Sequence, residues 1–412
     1  MRVLDLRNRV LAALAVSSAC GSAFGQQYSI TAINASNATL STAAYSVNSF
    51  DAVASAVVSQ SRAGLWSGGF LAVLPPLAGG SVSSAFGIND SSLVVGTSAG
   101  GFIGIPVKWP AGTGLPMELP NLGPRAGTAY DVNTIGAIAG EAYEPTPFGN
   151  RQRAVLWPTG GGIINLGLLP GGDISYATGI NSQGEVCGNS GDGSVLNNLA
   201  FFRDEANGSP LVDIGNLGFG WAFANDINDF SEIVGSSRGG GPFVEPFRWR
   251  AATQTMTGLG SLRGETARAS GTNNRGQVVG YDNRTGPGGG DLAFLVTPGQ
   301  GMSDLNTLIA SGSGWVLERA NGVNNAGQIV GVGRLNGQTR GFLLTPGPTH
   351  VVPPCFADLN RDEVVNIADL TLFLGQFGAS VTPGAGADVN GDGAVNISDL
   401  TTLLGGFGGA CQ

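Results

Sequence analysis

Short apolar segments alternate with turns rich in Gly and Asn along most of this chain. Six segments share one pattern, in which an extended piece ends in Asn, a tight turn follows, and an apolar piece ends in Gly. They are AFGINDSSLVVG, AYDVNTIGAIAG, ATGINSQGEVCG, ANDINDFSEIVG, ASGTNNRGQVVG and ANGVNNAGQIVG. A divergent seventh copy, AYSVNSFDAVAS, begins at Ala44. Apolar, β-branched runs bounded by turn residues predict strands, and their repetition predicts a repeat fold.

Each repeat contains four short extended pieces. The first ends at the shared Asn, the second is the EVCG or QVVG run, and the third is AVLW, AFFR, PFRW or AFLV. The fourth is INLGLLPG, LVDIGNLG or MTGLGSLRG. The shared residues are Asn48, Asn89, Asn133, Asn181, Asn228, Asn273 and Asn324, separated by 41, 44, 48, 47, 45 and 51 residues. Four strands in about 45 residues is the size of one propeller blade.

The two ends of the repeat region predict that the ring closes. YSITAI, residues 28–33, has the form of a fourth strand with no preceding three, and GQTRGFLLTP, residues 337–346, is a third strand with no fourth after it. The N-terminal strand therefore completes the last blade, which leaves no open sheet edge. The predicted fold is mainly β, a seven-bladed propeller of four-stranded repeats over residues 26–346. An open solenoid ranks second, because it needs no such offset.

Turn chemistry explains the shared Asn and the Gly that often follows it. Asn tolerates left-handed geometry and bonds its own backbone, and Gly supplies a positive φ. The glycines three residues after the Asn are Gly136, Gly184, Gly276 and Gly327. A residue repeated in every unit is more often structural than a ligand contact.

Charge and composition exclude several functions. Only 12% of the 412 residues are charged, Gly numbers 69, and the net charge is −9. Nucleic-acid binding needs clustered Lys and Arg, so a nucleic-acid partner is not expected. His350 is the only histidine, which removes most His-dependent catalysis and His-rich metal sites.

The repeats contain isolated carboxylates that an enzyme could use. The candidates are Asp173, Asp226, Glu232 and Asp291. Asp226 and Glu232 belong to the repeat motif itself, which favours a structural or surface role for them. A Ser-His-Asp set cannot be built from one histidine outside the ring. The sequence therefore predicts no catalytic residue and favours binding or scaffolding over catalysis.

The N-terminus has the composition of an export signal. MRVLDLRNRV carries three Arg, LAALAVSSA is apolar, and AFG supplies small residues for cleavage after Gly25. The apolar run is too short to span a bilayer. A lipid anchor at Cys20 is the alternative, but Ser17 stands where Leu or Val is usual. We expect a signal peptide at 1–25 and a secreted or cell-surface chain without a membrane span.

The remaining cysteines divide into two kinds. Cys187 stands alone in an apolar segment, which favours a small buried side chain over a reactive thiol. Cys355 and Cys411 bracket the C-terminal segment, which predicts a disulfide in an oxidising compartment.

The repeat units resemble the extracellular HAF-type repeat family. The resemblance rests on A-x-x-I-N-x-x-G-x-V-V-G, A-F-L-W and D-L-G-x-L and covers roughly residues 28–346. The His of the family tripeptide is absent, since LAF stands at 199–201 and again at 292–294. The resemblance implies a secreted, β-rich domain and no defined reaction.

Two acidic loops follow a Pro-rich linker at 347–354. DLNRDEVVNIADL at 358–370 and DVNGDGAVNISDL at 388–400 place oxygen-bearing residues at positions 1, 3, 5, 7, 9 and 12 of an EF-hand loop. The predicted calcium ligands are Asp358, Asn360, Asp362, Val364 (by its carbonyl), Asn366, Asp369, Asp388, Asn390, Asp392, Ala394 (by its carbonyl), Asn396 and Asp399. Val365 and Val395, at position 8, can pair the loops in a small core. Two calcium ions are expected.

Each loop leads into a predicted helix. Apolar residues recur at helical spacing at Leu370, Phe373, Leu374 and Phe377 and at Leu400, Leu403, Leu404 and Phe407. We expect these residues to form the core between two helices rather than a partner site. GQFG and GGFG end the helices.

The duplicated loop–helix unit at 355–412 resembles a dockerin domain, in particular a cysteine-flanked, planctomycete-like class. The resemblance implies calcium-dependent binding to a cohesin module on a scaffold, often in polysaccharide breakdown. Two departures stand out. Glu363 replaces the usual Gly at position 6, and positions 10 and 11 are Ile367–Ala368 and Ile397–Ser398 instead of Ser-Thr pairs. The identity of the partner therefore does not follow from the resemblance.

The preferred hypothesis is a secreted, non-enzymatic protein in which the dockerin anchors the propeller to a cohesin-like partner. The propeller then presents a face for a glycan or protein ligand. A glycan-processing hydrolase delivered by the dockerin, and a structural envelope or matrix component, are the alternatives. For the loops themselves the alternative is calcium used only for folding, whereas the preferred hypothesis has calcium serve both folding and partner binding.

Overall fold

The computed structural model describes residues 27–33, 41–99, 104–204, 208–283, 290–347, 354–362 and 364–411. The predicted signal peptide with Cys20, most of the predicted linker, His350 and Glu363 lie outside these residues. Neither α-helix of the described part has the length and apolarity needed to cross a membrane.

Seven four-stranded antiparallel sheets make up the larger part of the described chain. The strands of the first three blades are β2 Thr42–Val47, β3 Val53–Val57, β4 Arg62–Ser67, β5 Phe70–Leu74, β6 Val82–Ile88, β7 Val94–Ala99, β8 Ile105–Trp109, β9 Met117–Glu118, β10 Gly127–Val132, β11 Ile138–Thr146, β12 Gly149–Trp157 and β13 Ile164–Gly167. The next three blades contain β14 Ile174–Ile180, β15 Val186–Gly191, β16 Leu199–Arg203, β17 Val212–Asp213, β18 Ala222–Ile227, β19 Glu232–Arg238, β20 Val244–Arg250, β21 Thr255–Gly258, β22 Thr266–Thr272, β23 Val278–Asn283, β24 Asp291–Thr297 and β25 Gly301–Asp304.

The seventh blade joins the two ends of the repeat region. It contains β26 Trp315–Val323, β27 Ile329–Leu335 and β28 Gln338–Pro346, with β1 Tyr28–Ile33 as its outer strand. β1 pairs antiparallel with β28 from Tyr28 opposite Pro346 to Ile33 opposite Gly341. Each sheet packs against the next, and the seventh packs against the first. The predicted seven-bladed propeller, including closure by the N-terminal strand, is confirmed.

The innermost strand of every blade carries a β-bulge three residues before its shared Asn. The bulged residues are Tyr45, Phe86, Tyr130, Thr178, Asn225, Ser270 and Asn321. A bulge bends its strand and increases the local twist. The strands nearest the axis therefore bend at the same level in all seven blades.

The Gly that ends the second piece of each repeat is required by close packing rather than by a turn. Gly280 faces Ala269 on one side and Phe294 on the other. A Cβ on Gly280 would collide with the Arg268 carbonyl oxygen and lie 2.7 Å from the Phe294 ring. In the first blade Ser55 occupies the position of this Gly on the second strand. Gly64 lies opposite it on the third strand, where Phe294 stands in the sixth blade, so the smaller residue of the pair is on the third strand.

Apolar side chains between successive sheets form the propeller core. Between the sixth and seventh blades, Leu295, Leu317 and Phe342 are buried in one cluster with Val279 and Leu305. Phe201, Phe247 and Phe294 are likewise fully buried on the third strands of their blades. Burial of such rings dominates the stability of the ring of sheets.

The C-terminal module, residues 354–411, contains helices α1 Ile367–Gln376 and α2 Ile397–Gly406. Short 3-10 turns lie at Pro354–Ala357 in this module and at Val58–Gln60, Val195–Asn197 and Leu305–Thr307 in the propeller. Phe356, Phe373 and Leu403 pack in its core with both cysteines. Cys355 and Cys411 form the predicted disulfide, with 5.3 Å between their Cα atoms.

Candidate calcium and partner-binding site

Both acidic loops gather three carboxylates in a small volume. Carboxylate oxygens of Asp358, Asp362 and Asp369 lie within 4.8 Å of one another. Those of Asp388, Asp392 and Asp399 do the same in the second loop. In each loop the first and last residues are buried and the middle one is exposed. Residues predicted at positions 1, 5 and 12 are therefore brought together twice.

Backbone amides orient the first carboxylate of the second loop. Asp388 Oδ1 accepts hydrogen bonds from the amides of Gly391 (2.8 Å) and Asp392 (3.1 Å). Its Oδ2 accepts from Gly384 and Gly393, both at 2.8 Å. Three of these amides belong to the loop itself, and Gly384 lies in the turn that precedes it. The loop therefore holds Asp388 in place through its backbone conformation.

The last carboxylate of each loop joins the loop to its helix. Asp399 Oδ1 accepts from the Asn390 amide (2.9 Å), and Oδ2 accepts from the Asn396 amide (2.9 Å). Asn396 in turn caps α2 by accepting from the Ser398 amide at 2.8 Å. Asp369 and Asn366 form the same capping box at the start of α1. Loop closure and helix initiation are thus one hydrogen-bonded unit.

The remaining predicted positions also carry oxygen atoms. Asn360 and Asn390 donate to Asp362 (2.9 Å) and Asp392 (3.0 Å), which orients their side-chain carbonyls within the loop. Val364 and Ala394 accept at their carbonyls from the Asn at position 9, both at 3.1 Å. A donor set made only of carboxylate and carbonyl oxygen suits a hard cation such as Ca²⁺ and disfavours softer metals.

The electrostatics of the first loop also favour a cation. Burial raises the pKa of Asp358 to about 6, and repulsion from Asp369 and Asp362 acts in the same direction, while Arg361 opposes it. A divalent cation bound among these carboxylates would remove the repulsion. The residues present therefore fit calcium.

Main-chain hydrogen bonds join each loop to the other half of the module. Val365 donates to the Gly409 carbonyl (3.1 Å) beyond α2, and Val395 donates to the Ala379 carbonyl (2.9 Å) beyond α1. Val365 and Val395 are both buried in the shared core. Each loop thus pairs its backbone with the segment after the opposite helix, while the two valines meet through packing.

The helices bury only part of their predicted apolar stripe. Phe373 and Leu403 are fully buried, and Leu370 and Leu400 pack against the core. The prediction was wrong for Leu374, Phe377, Leu404 and Phe407, which are 59%, 51%, 55% and 47% exposed. Each helix is only 10 residues long and faces one partner, so the edge of the stripe remains uncovered.

Four exposed residues have equivalent positions in the two halves of the module. Ile367 and Ile397, both 66% exposed, begin the helices, and Leu374 and Leu404 lie two turns later. We call these four residues the apolar band. Clustered exposed apolar side chains are typical of a binding surface.

The shared asparagines of the propeller form a closed ring of hydrogen bonds. Each side-chain amide donates to the backbone carbonyl of the shared Asn in the next blade. The pairs are Asn48–Asn89 (3.1 Å), Asn89–Asn133 (2.9 Å), Asn133–Asn181 (3.0 Å), Asn181–Asn228 (3.1 Å), Asn228–Asn273 (3.0 Å), Asn273–Asn324 (2.8 Å) and Asn324–Asn48 (2.9 Å). The ring borders a polar cavity of about 190 Å³ at the channel mouth.

Turn chemistry accounts for only part of the role of these asparagines. Asn133 Oδ1 accepts from the Ala137 amide at 2.9 Å, as expected for a side chain that bonds its own turn. None of the seven has a positive φ, which belongs instead to the residue three positions later, such as Gly136 (88°) or Asp51 (64°). The left-handed geometry was thus predicted correctly for the glycines and wrongly for Asn.

Two carboxylates are built into the channel wall. Asp131 and Asp226 occupy the same repeat position, two residues before the shared Asn, where other blades carry Ser or Gly. Burial and their mutual repulsion raise the pKa of Asp226, and burial raises that of Asp131. Asp131 was not among the predicted candidates, although its alignment with Asp226 in the repeat could have identified it.

Both channel carboxylates bridge neighbouring blades. Asp131 Oδ2 accepts from the Ile180 amide at 3.0 Å, and Asp226 Oδ2 accepts from the Thr272 amide at 2.8 Å. Each also accepts at Oδ1 from the amide of the following residue at 2.8 Å. Backbone amides therefore occupy both oxygens of each carboxylate.

The other candidate carboxylates do not converge. Asp173 pairs with Arg151 (2.7 Å), and Asp291 on β24 pairs with Arg319 on the innermost strand of the seventh blade. Burial alone would raise the pKa of Glu232, but Arg248, Arg361, Asn228 and Arg250 hold it below its usual range. These three residues have structural partners and share no site with Asp226.

Cys187 is fully buried and not disulfide-bonded, as expected for a small core residue. Burial raises the pKa of its thiol, and its Sγ lies 3.5 Å from the Thr178 hydroxyl. A thiol held in this protonated state is a poor nucleophile.

Solved structures that resemble the propeller share little sequence with it. A streptogramin B lyase has a TM-score of 0.50 and 10% identity over 79% of this chain and 100% of that chain. An oligogalacturonate lyase in complex with manganese has a TM-score of 0.46 and 10% identity over 78% and 97%. TolB from Acinetobacter baumannii has a TM-score of 0.40 and 14% identity over 62% of this chain, which spans only 61% of TolB. Of these three, the streptogramin B lyase alone reaches a TM-score of 0.50, and at 10% identity that similarity supports the propeller fold and nothing further.

The fold and the loops together define a propeller protein with a C-terminal module of two acidic loop–helix units. Residues 356–404 match the family model of the dockerin type I domain, which supports the assignment of that module as a dockerin. No curated protein matches the chain.

Proposed function

We propose that this chain is a secreted, non-enzymatic binding protein that its dockerin attaches to a cohesin-type partner. The observation that carries the proposal is the pair of equivalent acidic loops, each closed onto a helix, within the segment that matches the dockerin model. Dockerins bind calcium and associate with cohesins, and proteins that carry them are typically extracellular. The signal peptide predicted at 1–25 agrees with export.

We assign two calcium ions to the two loops. In the first loop the ligands are Asp358, Asn360, Asp362, Asn366 and Asp369 with the Val364 carbonyl. In the second they are Asp388, Asn390, Asp392, Asn396 and Asp399 with the Ala394 carbonyl. Calcium neutralises the three carboxylates of each loop and fixes the starts of α1 and α2. A domain of this size depends on such stabilisation.

The apolar band is the proposed partner surface. Ile367 and Ile397 follow directly after the last loop asparagine, so calcium determines where they project. Leu374 and Leu404 extend the surface along the helices. Apolar side chains that become buried at the centre of an interface supply most of its binding energy. The propeller then remains available to bind a glycan or protein.

A direct binding measurement tests the proposal. Cohesin modules are immobilised, and the full chain is passed over them with calcium and then with a chelator. We expect calcium-dependent retention that is lost in Asp358→Ala with Asp388→Ala, because each loop then lacks its first ligand. The matched control, Asp173→Ala with Asp213→Ala, removes two carboxylates from the propeller surface and should bind normally. Equal binding by both double variants would refute the assignment.

Substitution of the channel carboxylates tests the alternative function, a glycan-processing hydrolase. Asp131 and Asp226 have raised pKa values, as general acids often do. Their occupied oxygens favour a structural role. Purified chain is assayed against a panel of plant and microbial polysaccharides, with Asp131→Asn and Asp226→Asn as comparisons. Turnover that disappears in either variant while the fold persists would support the hydrolase.

A further inference from the structure

The dockerin lies on the channel-mouth face of the propeller, and each module contacts the other through one arginine side chain. Arg275, in the turn after Asn273, is only 7% exposed. Its Nη2 donates to the Asp388 carbonyl at 3.2 Å, and its guanidinium lies 5.1 Å from the centre of the Phe356 ring. A propeller residue thus contacts the first residue of the second calcium loop.

Arg361 makes the reciprocal contact from the first calcium loop. Its Nη2 donates to the Asn274 carbonyl, and its guanidinium lies 5.4 Å from the centre of the Phe230 ring. Asn274 and Arg275 are adjacent in one propeller turn. Both arginine contacts therefore converge on the turn between β22 and β23.

Close approach on both sides makes this contact specific. A Cβ on Gly391 would lie 2.8 Å from Arg275 Nη2, and a Cβ on Gly276 would lie 2.8 Å from Arg361 Nη1. A Cβ on Gly384 would collide with the Asn325 carbonyl oxygen of the seventh blade. The dockerin therefore packs against the sixth and seventh blades at main-chain distance.

Arg361 and Gly391 occupy the same position, the fourth, in the two loops. The first loop inserts a long side chain into the propeller, whereas the second loop leaves room for a propeller side chain. Exchanging the two halves of the dockerin would place Arg361 against Arg275 and Gly391 against Phe230. The two residues therefore select one of two otherwise similar orientations.

Both contacts depend on the conformation of the calcium loops. Arg361 has a positive φ (61°) and lies between Asn360 and Asp362, and Arg275 bonds the main chain of Asp388. Without a cation, the three carboxylates within 4.8 Å in each loop repel one another. We propose that Arg275 and Arg361 hold the dockerin against the propeller only while calcium keeps the loops closed. Calcium removal then releases the dockerin from the propeller face.

The arginines and calcium do not compete for the same atoms. The guanidiniums bond the main-chain carbonyls of Asp388 and Asn274 and cover aromatic rings, and neither carbonyl is among the proposed calcium ligands. The apolar band is not among the residues of this contact. Docking to the propeller and binding to a cohesin can therefore occur together.

Small-angle X-ray scattering of the full chain tests the inference. With calcium, we expect a single compact particle. With a chelator, the radius of gyration and maximum dimension should increase, because the dockerin remains connected only through the chain. Arg275→Ala with Arg361→Ala should be extended even with calcium. The control Arg125→Ala with Arg334→Ala removes two exposed arginines elsewhere on the propeller and should behave as wild type.

Calorimetric calcium titration distinguishes the outcomes. The arginine double variant should still bind two ions, which shows that its dockerin folds. A compact double variant, or a wild-type chain that stays compact in chelator, overturns the inference while leaving cohesin binding intact. Failure of the wild type to bind calcium overturns the proposed function as well.

Discussion

The side-chain amide of Asn324 donates a hydrogen bond to the backbone carbonyl of Asn48 at 2.9 Å, across 276 residues of sequence. This bond closes the ring of asparagines at the seam between the last and first blades. Asn324 also accepts from the Gln328 amide at 2.9 Å, so one buried side chain ties together its own turn and the next blade. The seam therefore has the same internal bonding as every other blade junction.

Asn324→Ala should destabilise the propeller by about 2–4 kcal/mol, because buried main-chain groups lose their partners on both sides of the seam. Asn324→Asp keeps the acceptor oxygen but places a buried carboxylate oxygen against the Asn48 carbonyl and Gln328 Oε1, so it should destabilise the propeller at least as much. Chemical denaturation with saturating calcium measures both. Asn150→Ala, at an exposed position, is the control, and an equal effect there would contradict the role of the ring.

Gly280→Ala should cost about 3 kcal/mol or more, because the added methyl group collides with the Arg268 carbonyl and the Phe294 ring. Gly240→Ala provides the comparison, since no atom lies within 4 Å of a Cβ at that position. Thermal unfolding of the two variants separates steric overlap from the general effect of replacing Gly. A similar melting temperature for both would show that the inner strands can move apart.

Glu141 should make the propeller less stable as the pH rises. It is buried on β11, and burial raises its pKa from 4.5 to about 7, although Gln152 and Thr128 oppose the change. Between pH 4.5 and 7 the unfolded chain has released this proton and the folded chain retains it, so stability falls through this range. The loss approaches about 3 kcal/mol above pH 7.

Glu141→Gln removes the ionisation and should remove this part of the pH dependence, making the variant more stable than wild type at pH 8. Melting temperatures from pH 5 to pH 9 measure the difference. Glu318→Gln changes the same group at the surface of β26, where it pairs with Arg334 at 2.7 Å. If the melting temperature of Glu141→Gln depends on pH as that of the wild type does, the prediction is wrong and the ionised Glu141 carboxylate is in contact with water.

Ile397→Arg with Leu404→Arg should weaken cohesin binding by about 100-fold or more, because two central apolar contacts are replaced by charge. Calcium binding should not change, since Ile397 occupies loop position 10, which supplies no ligand, and Leu404 lies beyond the loop. Leu115→Arg with Met117→Arg places the same charges at exposed positions of the propeller. Undiminished binding by the dockerin variant would move the partner surface away from the apolar band.

Much of this architecture is predictable from local pattern. The spacing of the seven asparagines, the unpaired strand at 28–33 and the duplicated loops each depend on residues close together in sequence. The exposed Leu374 and Phe377 were not predicted, because the helical period identifies an apolar stripe without showing how much of it the opposite helix covers. The repeat aligns Asp131 with Asp226, but the hydrogen bond from the Ile180 amide of the neighbouring blade is visible only in the structure.

The sequence by itself determined the number of blades, the strand that closes the ring, the disulfide, and the positions where oxygen atoms recur in the loops. These features follow from periodicity and from the conformational preferences of Gly and Asn, which act within a few residues. Only the tertiary structure decided that each Asn bonds the next blade and that Arg275 and Arg361 cross between modules. Those contacts join residues far apart in sequence, so their energies exist only once the ring has closed and the dockerin has docked.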